Sequence, residues 1–206
     1  MNALIVVDIQ NDFIPGGALA VPNGNEVVSV ANEVMKNFKL IVATQDWHPP
    51  DHGSFAKNHL NRKPGEVIKL AGLDQVLWPA HCVQMSKGAE FVKGLDTQRV
   101  TKVFQKGTDR EVDSYSGFFD NGHKKATGLG EFLKAHGVTD VYVLGLATDY
   151  CVKFTALDAR QLGFNTFLIE DGCRGVELKS GDCARAIDEM KRAGVNIVNS
   201  RELSSK

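Results

Sequence analysis

Cysteine is scarce in this chain. Four occur in 206 residues, Cys82, Cys151, Cys173 and Cys183, with no CxxC pair among them. That excludes a disulfide framework. A chain of this length buries enough surface to hold a core without one, so a reducing compartment is expected. An excess of charge of one sign is also missing: 24 Lys and Arg face 25 Asp and Glu, evenly mixed, for a net charge of -1. No nucleic-acid or membrane surface follows from that balance. Long hydrophobic segments are missing too. The opening MNALIVVDIQ has a short apolar run with no basic residue before it, and Asp8 interrupts it, which excludes a signal peptide and a membrane span. There is no internal repeat, low-complexity tract or linker. The expectation is a cytoplasmic chain folded as a single domain over residues 1–206, with no membrane or nucleic-acid partner.

What the chain does have is alternation. Five apolar runs read as buried strands: Ala3–Ile9, Leu40–Thr44, Val100–Gln105, Asp140–Leu146 and Asn165–Glu170, with a sixth at Val195–Val198. Runs rich in Val, Ile and Leu without polar alternation suit a parallel sheet covered on both faces. Helical patterns lie between them at Asn25–Asn37, Gly128–His136, Tyr150–Leu162 and Ser180–Arg192, and Gly137, Gly163 and Gly194 stop three of these. The pattern predicts an α/β protein, a three-layer α/β/α doubly wound fold on a six-stranded, mainly parallel sheet. One region is irregular, about 47–91, rich in Pro, His and Gly, and long loops of this kind are usually functional. The ending SRELSSK reads as a frayed tail.

Ligands of such sheets bind outside the carboxyl ends of the strands. Those ends deliver Asp8 from the first run, Asp46 and His48 from TQDWH, Lys106 from FQKG, Cys151 from GLATDYC, and Asp171 and Cys173 from EDGCRG. A lone Cys is more often a small buried hydrophobe than a nucleophile. Here an acid and a lysine accompany it: Lys106 can hold a thiolate, Asp8 can accept its proton, and a helix N-terminus at Cys151 would lower its pKa. Lys102 competes with Lys106 but lies at the opposite rim. Asp46 and His48, two apart at a strand end, can face one point with His81 from the loop. From spacing alone, a hydrogen-bonded polar trio and a metal site are equally open. Two His and a carboxylate, with water completing the shell, suit Zn2+, Fe2+ or Mn2+.

The segments VVDIQNDFIPGGALAV, ATQDWHPPDHGSF, WPAHCVQ, VFQKG, DSYSGFF and GLATDYCVKFTALDA resemble the nicotinamidase/pyrazinamidase branch of the isochorismatase-like cysteine hydrolase family, over about residues 3–198. The combination separates this branch from relatives that hydrolyse isochorismate and lack the metal cluster. The resemblance implies Cys151 as nucleophile, Asp8 as general base and Lys106 as the cation beside them. It also implies a cis peptide between Leu146 and Ala147, with the backbone N–H groups of Ala147 and Cys151 as an oxyanion hole. Asp46, His48 and His81 would bind the metal, usually zinc, and no organic cofactor is needed. His52 is a candidate further ligand, His59 a spare, and Ser54 a contact to a metal-bound water. Phe13, Leu19, Trp78, Tyr115 and Tyr150 would line the pocket for a planar ring. The implied reaction is hydrolysis of nicotinamide, and of pyrazinamide, to the acid and ammonia through a thioester, in NAD salvage. Asp12, Cys82 and Cys173 read as structural, and Cys183 as core on an apolar helix face. A related amidohydrolase acting on N-carbamoyl or ureido compounds, a binding module without chemistry and a thiol redox sensor remain alternatives. Monomer and homo-oligomer both stay open.

Overall fold

A computed structural model describes residues 1–203 of the chain. Six strands form one sheet: β1 (Asn2–Val7), β2 (Ile41–Asp46), β5 (Lys102–Lys106), β6 (Asp140–Leu146), β7 (Asn165–Arg174) and β8 (Asn196–Val198). All pairings are parallel, in the order β5-β2-β1-β6-β7-β8. The helices α1 (Val27–Met35), α2 (Leu129–Ala135), α3 (Lys153–Gln161) and α4 (Asp182–Arg192) flank it, giving the α/β layering expected from the alternation. The central strands are apolar along their length because both faces are covered. Leu4, Ile5, Val143, Leu144 and Leu168 are fully buried, and burying such a side chain is worth about 1.5–3 kcal/mol each. At the open edge β5 alternates instead, with Phe104 and Lys106 buried and Lys102, Val103 and Gln105 exposed. Among the described residues no helix is long and apolar enough to cross a membrane.

Several element ends differ from the sequence reading, each for a local reason. β1 stops at Val7 rather than Ile9 because Asp8 takes a left-handed backbone, φ 47°. β7 runs on to Arg174, and its register against β6 shifts between Val143 and Gly145. That carries Asp171 away from the site: its carboxylate accepts from the Ser200 N–H (2.8 Å) and hydroxyl. The same contact ties down Ser200–Leu203, which form a 3-10 turn instead of a frayed tail; residues 204–206 of that expected tail lie outside the described residues. Cys151 does not open α3 but sits in a π-helical turn, Thr148–Val152, ahead of it. Cys183 is half-buried rather than core, with its N–H donated to Glu177. The irregular region contains an antiparallel hairpin, β3 (Val67–Leu70) and β4 (Leu73–Val76), whose two-residue turn Ala71-Gly72 has both φ positive, 48° and 85°.

Candidate active site

Three strand ends and one turn bring four side chains to a single buried point. Lys106, at the end of β5, places Nζ 2.9 Å from Asp8 Oδ2 and 3.3 Å from Cys151 Sγ. The same ammonium donates to Asp46 Oδ1 and, at 2.9 Å, to the Ser114 carbonyl. Asp8, Asp46 and Cys151 each offer one donor atom within 4.8 Å of the others. The left-handed turn at Asp8 brings its carboxylate to this point, where Thr44 holds the other oxygen at 2.6 Å. Lys102 points elsewhere, its ammonium over the rings of Phe104 and Phe132.

The electrostatics separate the two carboxylates. Burial pushes Asp8 up, Lys106 pulls it back and Asp46 adds to the rise, so its carboxyl stays above the ordinary range. Burial acts on Asp46 too, but Lys106 and His48 outweigh it and hold that carboxyl well below the ordinary range. Asp8 is therefore the readier proton acceptor, and neighbouring groups pushed apart in this way mark acid–base roles. Burial opposes the charge on Lys106, yet Asp46 and Asp8 outweigh it and keep the ammonium protonated well above the usual lysine range. The thiol departs from the sequence reading. Burial drives Cys151 well above the ordinary thiol range, with Lys106 only partly offsetting it. Burial thus favours the protonated sulfur, and Asp8 is the group placed to take its proton.

Beside this cluster Asp46, His48 and His81 converge. His48 Nε2 and His81 Nε2 lie 3.3 and 3.6 Å from the same oxygen, Asp46 Oδ2. The far nitrogen of each ring faces a carbonyl: His48 Nδ1 to Gly107 O at 2.9 Å, His81 Nδ1 to Pro79 O at 2.8 Å. A carbonyl only accepts, so each Nδ1 carries a hydrogen and each ring turns its Nε2 toward the carboxylate. Without a metal, burial opposes the charge on His48, but Asp46 outweighs it and pulls the His48 pKa up. One donor atom each from Asp46, His48 and His81 lies within 4.8 Å of the others, and imidazoles anchored on carbonyls through the far nitrogen are the usual outer support of metal ligands. The donor set thus fits a divalent cation on its own chemistry. Gly107 is required here, since a Cβ on it would come within 2.3 Å of the His48 ring. The His52 ring lies 4.4 Å from the His48 ring, tilted by 50°, its Nδ1 with Ser54 Oγ at 2.8 Å, and its buried Nε2 has no partner among the described residues. His59 is turned away, bonded to Gly53 O at 2.7 Å.

Above both groups opens a cleft of about 360 Å³ including its mouth, lined by Phe13, Leu19, Trp78, Tyr115, Ala147, Tyr150 and Cys151 with Asp46, His48 and His81. Trp78 meets Tyr150 edge-on at 4.9 Å and donates its indole N–H to the Tyr115 hydroxyl at 3.2 Å. The Leu146–Ala147 peptide is cis. Sequence reasoning missed two lining residues, Asp113 and Val176. Asp113 lies two residues before Tyr115 and is held by Gln75 of β4 at 2.9 Å, and the i, i+2 spacing was the one available signal. Cys82 and Cys173 are buried, and burial pushes the Cys173 thiol up to about 12.

The family description "Isochorismatase domain" matches residues 2–202. A curated nicotinamidase of Escherichia coli is 49% identical over 200 residues, covering 95% of this chain and 93% of its own length. A solved nicotinamidase/pyrazinamidase of Acinetobacter baumanii superposes with a TM-score of 0.95 at 44% identity, covering 98% of this chain and 97% of that one. A pyrazinamidase of Pyrococcus horikoshii in complex with zinc gives a TM-score of 0.78 at 42% identity, covering 96% and 98%. Likeness of this extent, in sequence and in fold, leaves no part of the sheet or its strand-end loops outside the match, and the chain belongs to the isochorismatase-domain family.

Proposed function

We propose that the protein is a nicotinamidase, hydrolysing nicotinamide to nicotinate and ammonia through a thioester on Cys151, with pyrazinamide as a second substrate. The observation that carries this reading is the position of Cys151 Sγ, 3.3 Å from an ammonium that also pairs with Asp8, at the floor of an aromatic cleft shared with Asp46, His48 and His81. The zinc-bound pyrazinamidase and the nicotinamidases above support the substrate class.

The residues act as follows. Phe13 and Trp78 take the flat ring between apolar faces, and Leu19, Tyr115 and Tyr150 close the cleft. Asp46, His48 and His81 would hold a divalent cation, Zn2+ in the first instance, and His52 is a candidate further donor. When bound, such a cation would supply a Lewis acid that fixes the substrate above Cys151, and positioning of this kind is worth several kcal/mol of barrier. Asp8 takes the thiol proton, for which its raised pKa suits it. The sulfur forms a bond to the amide carbon, and the backbone N–H groups of Ala147 and Cys151 receive the oxyanion. Asp8 then returns its proton to the leaving nitrogen, the C–N bond breaks and ammonia departs. Asp8 deprotonates a water that attacks the thioester, the C–S bond breaks, and the sulfur regains a proton as nicotinate leaves. Lys106 stays charged throughout and stabilises the thiolate as it forms.

The test is ammonia release from nicotinamide by purified protein, with bound metal measured on the same sample. Cys151→Ala is expected to abolish turnover and keep its metal, whereas Asp46→Ala is expected to lose the metal and weaken substrate binding. A Cys151→Ala protein with the wild-type rate rules out the nucleophile. Turnover of an N-carbamoyl compound in preference to nicotinamide moves the assignment to that rival class.

A further inference from the structure

We propose that Gln10 and Asp12 are positioning residues that brace Asp46 and His81 through their main chain, so that the loop after Asp8 holds the cation donors and the thiol's base in one frame. This rests on the metal reading above. β1 pairs with β2 only as far as Val6 and Ala43, while β2 continues for three more residues. With Asp8 turned into the left-handed region, no β1 backbone lies beside Asp46 on that side, and its buried N–H and C=O need other partners. The Gln10 side chain supplies both. Its Oε1 accepts from the Asp46 N–H at 2.8 Å, and its Nε2 donates to the Asp46 carbonyl at 2.9 Å. That is the reciprocal pair one strand residue makes with its antiparallel neighbour, here made by an amide side chain. The second Nε2 hydrogen goes to Ala89 O at 2.9 Å, so every polar atom of this fully buried side chain is used.

Asp12 does the matching work on His81. Its Oδ2 accepts from the N–H of Cys82 at 2.7 Å and its Oδ1 from the N–H of Ala18 at 3.2 Å. Cys82 follows His81 directly and is held at φ 45°, a backbone that needs an outside partner to persist in a non-glycine residue. Ala18 precedes Leu19, so the same carboxylate also sets one wall of the cleft. Gly88 makes room for it: a Cβ there would lie within 2.0 Å of Asp12 Oδ2. The loop carrying both residues is pinned in turn by Asn11 N–H to Glu90 O (3.0 Å) and Val92 N–H to Ile9 O (3.0 Å). Neither Gln10 nor Asp12 is among the residues that line the cleft, so neither touches substrate.

The experiment measures Zn2+ affinity of the full chain by competition with a chromophoric chelator, for wild type, Gln10→Met, Asp12→Asn and Asp12→Ala, alongside thermal unfolding of the metal-free proteins. Outer-shell losses of this kind typically weaken metal binding about 10–100-fold, and that is the expected drop for Gln10→Met and Asp12→Ala. Asp12→Asn keeps one acceptor oxygen and is expected to lose less than Asp12→Ala. Folded variants that bind Zn2+ as wild type does, whatever their melting temperature, overturn the brace and leave a purely structural role. Should Gln10→Met not fold, Asp12→Asn and Asp12→Ala decide by the same criterion. A wild-type protein that binds no Zn2+ overturns the metal reading instead.

Discussion

Lys106→Met tests the electrostatic centre of the site without reference to substrate or metal. The wild-type ammonium is fully buried against two carboxylates, Asp8 and Asp46, and no other cationic side chain pairs with Asp8 among the described residues. Methionine keeps most of the stem's volume and removes the charge. Deleting one partner of a buried ion pair costs about 3–5 kcal/mol, because the other is left uncompensated. For a chain of 206 residues each kcal/mol moves the melting temperature by about 2–4 °C, so a drop of about 6–20 °C is expected. The loss also carries a pH signature. Without Lys106, the carboxyl of Asp8 rises further above its unfolded value, so between the two values the folded state holds a proton that the unfolded state has released. Stability of the variant then rises as pH falls, and its gap to wild type narrows between pH 7 and 5. Urea unfolding of both proteins in the presence of a chelator, at the two pH values, measures this. Asp8→Asn combined with Lys106→Met removes one of the stranded carboxylates and is expected to recover part of the loss, a coupling of about 0.5–3 kcal/mol. An unchanged midpoint at pH 7, or a gap that widens on acidification, refutes the account of Lys106 as the counter-charge to both acids.

Other perturbations probe the neighbouring parts. Gly107→Ala puts a methyl within 2.3 Å of the His48 ring at a φ of 64°, so His48 has to move; retained Zn2+ after dialysis is expected to fall well below wild type, and full retention counts against the donor geometry. Trp78→Leu removes a wall that holds the ring equally in ground and transition states, so KM for nicotinamide is expected to rise with kcat nearly unchanged; steady-state kinetics read the split. In metal-free protein, burial first and His48 second lower the pKa of His52 to about 4. The unfolded value is about 6.5, so the unfolded chain binds more protons between these limits, and stability is lost as pH falls through that window, by up to about 3 kcal/mol. Chemical unfolding of His52→Asn across the same range is expected to give a flatter profile than wild type.

The strand ends were legible because parallel topology sends polar residues after each apolar run to one rim, and Asp8, Asp46, Lys106 and Cys151 stand at such ends. β6 was readable to the residue, Asp140–Leu146, since its run is apolar after Asp140, fully buried from Val143 on, and followed by a turn. Where the reading failed, a contact outside the local window decided the outcome. Ile9 is as buried as the strand before it, so composition continued β1 across a break that only the Asp8 backbone reveals. The β3–β4 hairpin turns on Ala71-Gly72, and alanine in a left-handed turn position gives none of the Asn-Gly or Asp-Gly signal that marks such turns. Position before a helix suggested a lowered thiol pKa for Cys151, yet burial by surrounding segments reverses it. Gln10 is the sharpest case. As a polar residue after a strand it reads as the start of a loop, but its amide bonds to partners 36 and 79 positions away and completes a sheet edge in the interior. A strand-end pattern therefore tells which residues reach the rim. Their protonation and their aim are set by side chains that arrive from distant segments, and those contacts have no periodic signature in the chain.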